Sequence, residues 1–342
     1  MPPTRTSATC TAPSCGSWRP RTALSSTRAP SSTLRSVMRV ATSRGPSSKS
    51  PTRRNTASRS ATTLSEHPIA RRWRAIRAEG GGRERRRAAL IPYLTAGYPT
   101  PATCIAALRL AEAAGADFVE VGVPFSDPLA DGPTIQRSTQ AALAQGITVA
   151  RVLELVGEAQ LGIPIVIMTY LNPVLAYGVG RFLADAHAAG ASGLLLTDFP
   201  AGSDSAVEEA VAASPLALIR LIAPTTSDAR LAQAVAGARG FIYFISRLGV
   251  TGARPDVPPD LGVQVRRIRA VTSLPVAVGF GISTPAQAAA AARVADGVVV
   301  GSALVDALRG GAGEPGAGLN VAERLLRDLA AAVRARGNEV PA

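Results

Sequence analysis

Three carboxylates close together in the chain offer acid–base chemistry. Glu120 lies inside the apolar run Phe118-Val-Glu-Val121, and Asp127 and Asp131 follow in Gly122-Val-Pro-Phe-Ser-Asp-Pro-Leu-Ala-Asp-Gly132. The run predicts a buried strand, and Gly122 and Pro124 predict that it breaks there into a loop. A carboxylate inside an apolar strand is costly unless it is paired, hydrogen-bonded or used. Carboxylates in different environments, one in a strand and others on a loop, are the usual material for separate acid and base roles. The same residues also read as a satisfied interior glutamate followed by turn-forming aspartates.

The rest of the chain says what must position these groups. From about residue 88, short apolar runs alternate with alanine-rich stretches. Strands are expected at 89–94, 118–121, 165–168, 193–196, 216–221, 241–245, 276–279 and 297–300. Near-continuous apolar runs, rather than alternating ones, fit parallel strands covered on both faces. Helices are expected between them at 102–114, 178–189, 203–213, 227–236 and 284–292, several opening on a Ser, Thr or Asp cap or an early proline. Eight such units in about 250 residues predict a single-domain α/β protein, a closed (β/α)8 TIM barrel. A doubly wound open sheet is the alternative, but no G-x-G-x-x-G follows the first strand. In such barrels chemistry sits at the C-terminal strand ends, where Glu120, Asp131, Asp198 and Tyr243 are expected to gather.

After the seventh strand comes Gly279-Phe-Gly-Ile-Ser283, and after the eighth Gly301-Ser302. Glycines there let backbone N–H groups approach an anion, and helix N-termini add favourable partial charge. Barrels often seat a phosphate between these two loops; plain turns are the bland alternative. Lysine then prunes the chemistry. Lys49 is the chain's sole lysine, and it precedes the barrel. A Schiff base needs one, so lysine-dependent aldolase chemistry and lysine-assisted isomerisation or ring closure are excluded. With only His67 and His187, a histidine-rich metal site is excluded too, and Cys10, Cys15 and Cys104 make neither a disulfide framework nor a zinc quartet. Carboxylate acid–base work on a phosphorylated substrate remains.

The chain of 342 residues carries a formal charge of +13, but residues 1–65 hold eleven basic residues and no acidic one. Beyond them 26 basic residues face 24 acidic ones. The charge therefore belongs to an Arg/Ser/Thr/Pro-rich N-terminal extension with no hydrophobic period, which is expected to be disordered. Residues 66–342 are expected to form the barrel. One lysine against 36 arginines, with abundant alanine, fits a GC-rich coding sequence, so a misassigned start is the favoured origin of the extension. An Arg-rich, acid-poor transit peptide is the next reading. A nucleic-acid-binding arm is a third, but arginines without interleaved aromatics support it weakly. No apolar run reaches membrane-spanning length and no signal peptide is evident, so the expected setting is cytoplasmic, or a plastid if the extension is a transit peptide.

Five segments resemble, in order, the tryptophan synthase alpha subunit family: Pro92-Tyr-Leu-Thr-Ala-Gly97, Glu120 to Gly132, Met168-Thr-Tyr-Leu-Asn-Pro173, Tyr243-Phe-Ile-Ser-Arg-Leu-Gly-Val-Thr-Gly252 and Gly279-Phe-Gly-Ile282. The resemblance spans residues 68–336; Tyr93, where the family often has Phe, and Leu248 depart from it. It implies a carbon–carbon lyase of tryptophan biosynthesis that reversibly cleaves indole-3-glycerol phosphate to indole and glyceraldehyde 3-phosphate. It also implies Glu120 and Asp131 as catalytic residues. Gly252, Gly281 and Ser302 match phosphate-binding positions; Tyr243, Phe280, Tyr170 and Met168 match the indole pocket or its surroundings. Thr251 matches a loop residue that meets Asp131 on closure, in a lid at 247–262. No cofactor is implied in this subunit. Asp127 and Pro128 match contacts with a beta subunit that holds pyridoxal phosphate, in an α2β2 tetramer, with no nucleic-acid or membrane partner. A sugar-phosphate isomerase and a purely regulatory subunit are the rival functions.

Deleting residues 1–65 is expected to leave the melting temperature and cleavage activity unchanged, because all eight expected units lie beyond it. A loss of several degrees or of activity in the truncated protein would make the extension structural.

Overall fold

The computed structural model describes residues 66–79, 87–246, 258–279, 281–310 and 317–335. Eight parallel strands close into a barrel in the order β1 through β8. They are β1 (Ala89–Thr95), β2 (Val119–Gly122), β3 (Ile165–Thr169), β4 (Ala191–Leu196), β5 (Ala217–Ile222), β6 (Ile242–Ile245), β7 (Val276–Gly279) and β8 (Gly297–Val300). Closure is made by β1 against β8, with Ala89 opposite Gly297 and Pro92 opposite Val300. The helices among the described residues are α1 (Pro68–Glu79), α2 (Pro101–Ala113), α3 (Pro133–Ala144), α4 (Val149–Ala159), α5 (Leu171–Tyr177), α6 (Val179–Ala188), α7 (Ser205–Ala213), α8 (Asp228–Ala234), α9 (Leu261–Arg269), α10 (Pro285–Ala292), α11 (Ser302–Leu308) and α12 (Ala317–Arg334).

Local chemistry explains the boundaries. Thr100, Thr148, Asp204 and Thr284 each accept a hydrogen bond from the N–H three residues on, starting α2, α4, α7 and α10. Gln287 completes a capping box with Thr284, satisfying two donors that the first helical turn leaves without partners. The expected strands all form, with ends within two residues of expectation. The five helices expected above form as α2, α6, α7, α8 and α10, and seven more are seen among the described residues. In α3 the buried face is Ile135, Ser138, Thr139 and Ala142, and two hydroxyl residues on that face blur the apolar period.

The barrel interior and its hull are separate apolar layers. Ile91, Phe118, Val166, Leu195, Ile219 and Phe241 pack inside the strands. The bottom is closed by α1, whose Ile69, Trp73 and Ile76 join this inner cluster, as their helical spacing predicts. The Trp73 ring lies 5.0 Å from Phe118 and 5.9 Å from Phe241. Nearby, fully buried Asp117 accepts from Arg72 (2.5 Å), from both Arg87 nitrogens (2.8 Å each) and from the Leu90 N–H (2.9 Å). Arg87 also meets Glu79 at the end of α1, so this buried carboxylate ties the plug to the barrel. Among the described residues, no helix is long and apolar enough to cross a membrane.

Trp73→Ala should remove the plug's largest side chain and cost about 3–5 kcal/mol of unfolding free energy, measurable by urea denaturation; a change below about 1 kcal/mol would show that α1 does not seal the interior.

Candidate active site

Where strands β1, β2, β3, β6 and β8 end, a cavity opens at the C-terminal mouth of the barrel. Tyr93, Glu120, Met168, Tyr243 and Val299 line it from the strands. Ala130, Asp131, Gly132, Thr134 and Ile135 reach it from the loop after β2 and the start of α3. Gly281, Ile282 and Ser283 follow β7, and Gly301, Ser302, Ala303 and Asp306 follow β8.

Glu120 stands opposite Tyr93 of β1 and Val166 of β3. Its side chain is fully buried, and neither carboxyl oxygen has a hydrogen-bond partner among the described residues. Burial without compensation disfavours the charged form and pushes its pKa up to about 8. Asp131 lies only partly buried on the loop; burial raises its pKa to about 6, opposed by the Tyr170 hydroxyl. Two carboxyls face one cavity, one holding its proton at neutral pH and one ionised. Environment alone thereby sets two carboxyls of one cavity apart in proton affinity.

Two tyrosines shape the walls. Tyr93 and Tyr243 are both nearly buried, and burial raises both phenol pKa values. A Cβ on Gly122 would overlap the Tyr93 hydroxyl, and one on Gly279 the Tyr243 hydroxyl. The glycines that end β2 and β7 are therefore the space into which the rings fold. The Tyr93 hydroxyl also lies 3.5 Å from Thr95 Oγ1, which is 2.7 Å from Ser138 Oγ, joining the wall to α3.

At the opposite side, Gly281 adopts φ +83°, a left-handed turn suited to glycine. Gln287 Oε1 accepts the N–H groups of Ser283 (2.8 Å) and Thr284 (3.2 Å), so those two donors are already used. Gly301 is the N-cap of α11 and Ser302 its first residue, where N–H groups have no partner within the helix. Among the described residues, no cluster of His, Cys, Asp and Glu could hold a metal ion.

Of the expected site residues, Glu120, Asp131, Tyr243, Met168, Gly281 and Ser302 meet around this cavity. Tyr170 is not in its lining; its hydroxyl lies under the loop and accepts the Ala130 N–H at 2.9 Å. Thr251, Gly252 and Phe280 lie outside the described residues, as does most of the expected lid at 247–262. Asp198 has a structural task, accepting the Leu171 N–H at 2.7 Å where α5 begins. Sequence reasoning did not place Thr134, Ile135 or Asp306 in the wall, whereas Tyr93 was expected near the aromatic substrate and Ser283 in the loop after β7. Tyr93 was legible as the residue paired with the carboxylate strand; Asp306, a turn into α11, carried no signal.

Comparisons with known proteins agree with this geometry. A family profile described as "Tryptophan synthase alpha chain" matches residues 81–334. Tryptophan synthase alpha chains of Gluconacetobacter diazotrophicus and Caulobacter sp. are 49% identical over 274 residues and 46% identical over 279 residues. Each alignment covers 79% of this chain and 98% of the relative. A solved Mycobacterium tuberculosis tryptophan synthase chain aligns with TM-score 0.69 and 42% identity, over 78% of this chain and 98% of that one. The Legionella pneumophila alpha subunit aligns with TM-score 0.68 and 34% identity, over the same shares. With its barrel, its paired carboxyls and relatives of nearly equal length to residues 66–342, the chain belongs to the tryptophan synthase alpha chain family.

Proposed function

We propose that Glu120 and Asp131 carry out the reaction of this family, the reversible retro-aldol cleavage of indole-3-glycerol phosphate to indole and glyceraldehyde 3-phosphate. The observation that supports it best is the Glu120 carboxyl, fully buried, without a hydrogen-bond partner among the described residues and facing the same cavity as Asp131. Glu120 delivers its proton to indole C3, which leaves positive charge toward the ring nitrogen. Asp131, ionised, accepts the indole N–H and stabilises that charge. The C3–side-chain bond then breaks, its electrons returning to the ring, and the glycerol hydroxyl becomes the aldehyde as it gives its proton to Glu120. The acid is thus regenerated within one turnover. Because the indole ring is its own electron sink, no lysine and no cofactor are needed. Tyr93, Tyr243 and Met168 form the aromatic end of the pocket, and Gly281 and Ser302 the phosphate end. Thr251, Gly252 and Phe280 are assigned by their place in the family's motifs.

The family's alpha chain carries no cofactor; indole passes to the pyridoxal-phosphate beta subunit, which we place in an α2β2 tetramer. Leu129, 90% exposed beside Asp127 and Pro128, supports a partner contact at the rim of the site. The bacterial relatives support a cytoplasmic setting; residues 1–65 are assigned as an extension outside the barrel, and a transit peptide would instead direct the protein to a plastid.

Glu120→Gln should lower kcat by about 10²-fold or more, the contribution of a positioned proton donor, while binding of inorganic phosphate stays unchanged. Turnover within about tenfold of wild type would remove Glu120 from this role.

The pH profile follows from the two carboxyls. Activity requires Asp131 ionised and so rises through about pH 6, and requires Glu120 protonated and so falls through about pH 8. A bell-shaped kcat/KM profile with those limbs is expected. Flat activity from pH 5 to 9 would contradict it.

A further inference from the structure

The aspartate sits on the least supported part of the site. Between Gly122, the end of β2, and Pro133, the start of α3, the chain runs through ten residues that belong to no strand or helix. Asp131 is ninth among them, yet an indole N–H requires its carboxylate at one place. Some rigid group must locate it. Tyr170 is that group by position. It is 4% exposed and is the N-cap of α5. The ground beneath it is fixed by β3, by the Asp198 bond to Leu171 N–H, and by the 2.9 Å bond from Thr197 N–H to Thr169 carbonyl.

From this post the tyrosine takes hold of the loop in three ways. Its hydroxyl oxygen accepts the Ala130 N–H at 2.9 Å. The same hydroxyl acts on the Asp131 carboxylate, opposing the rise that burial imposes on it. Its ring packs on Phe125, near the loop's start, with centroids 5.3 Å apart. From the other side, Gln136 Nε2 of α3 donates to the Asp131 carbonyl at 2.9 Å. The loop is therefore clamped at both its polar backbone and its side chain, while Tyr170 itself lies outside the cavity lining.

We propose that Tyr170 is a positioning residue for Asp131, not an indole contact: its hydroxyl holds the Ala130 N–H and its ring holds Phe125, and together they keep the charge acceptor in place. This rests on the reaction proposed above. The other titratable groups around Asp131 are Tyr93 from β1, Glu120 from β2, and Asp306 of α11, which pairs with Arg137 at 3.7 Å. Asp306 and Arg137 offset each other, and the buried phenol of Tyr93 stays neutral. Among these neighbours the Tyr170 hydroxyl is the one that opposes the rise burial imposes on Asp131.

The test is Tyr170→Phe in the full-length chain, which keeps the ring and its contact with Phe125. Indole-3-glycerol phosphate cleavage is measured from pH 5 to 9, with the melting temperature as the check on folding and hydrogen exchange at the Ala130 amide as an independent readout. The clamp predicts that kcat falls about tenfold or more, since misplacing a reacting group by a fraction of an ångström to 1 Å costs up to about 10²-fold. It also predicts KM within about twofold, the acidic limb moved to higher pH because the hydroxyl that opposes the burial-driven rise is gone, and faster exchange at Ala130. A rise in KM at unchanged kcat would make Tyr170 an indole contact and overturn the proposal. So would a fall in kcat with an unmoved acidic limb, or no change in any of these. If Tyr170→Phe melts early, Gln136→Ala replaces it: loss of the second grip should lower kcat with the acidic limb unmoved, and unchanged kcat would refute a clamped loop. Asp131→Asn run alongside separates the two readings. An Asp131→Asn variant as active as wild type removes the reaction assignment itself, whereas an inactive one beside a normal Tyr170→Phe removes only the clamp.

Discussion

Two carboxyl groups three residues apart meet opposite surroundings in this barrel. Asp117 and Glu120 are equally buried. Asp117 receives two arginines and a backbone N–H, and so ties α1 and β1 together at the bottom of the barrel. Glu120, inside β2, has no hydrogen-bond partner among the described residues. The fold tolerates that only by keeping Glu120 protonated, and the raised pKa expresses the cost. Its contribution to folding stability is lost as pH rises from the ordinary carboxyl value of 4.5 through about 8. A group held this way is poised to give up its proton to a ligand that fills the cavity beside it.

The surroundings of Glu120 follow from that constraint. Water would solvate the carboxyl and lower its pKa, so the wall beside it must be bulky and largely apolar. Tyr93 and Tyr243 provide the bulk, and Gly122 and Gly279 provide the room their rings occupy. A barrel interior is filled by side chains from all strands, so a glycine on one strand is a licence for a ring on its neighbour. The opposite rim answers a different need. There the backbone turns at Gly281, and α11 begins at Ser302, giving N–H donors for an anion instead of a dry surface. An apolar end, a proton donor and an anion-binding end in one cavity match a substrate that is an aromatic ring joined to a phosphate.

Much of this was legible in the sequence because parallel barrel strands leave a simple trace. Each is short, apolar throughout and followed by a turn residue, and all eight were found within two residues of their ends. The helices were less legible. The buried face of α3 carries Ser138 and Thr139, whose hydroxyls are satisfied locally and by Thr95, so no apolar stripe marks it. Glu120 and Asp131 alone read equally well as an interior glutamate and a turn former; the barrel pattern, the glycine loops after the seventh and eighth strands and the family resemblance made them stand out.

The amino-acid order by itself determined the fold class, the end of the barrel where the candidate site lies, the two carboxyls of its wall and loop, and a barrel without lysine. Each of these depends on residue type and spacing along the chain. Tertiary structure alone decided that buried Asp117 is paired and that Glu120 has no hydrogen-bond partner among the described residues. It decided that Asp198 accepts the Leu171 N–H where α5 begins. It also put Tyr170 beneath the loop and outside the cavity. The reason is the same in each case. A partner for a buried polar group comes from a segment distant in sequence, such as Arg72 for Asp117 or Ala130 for Tyr170, and only closure of the barrel brings the two together.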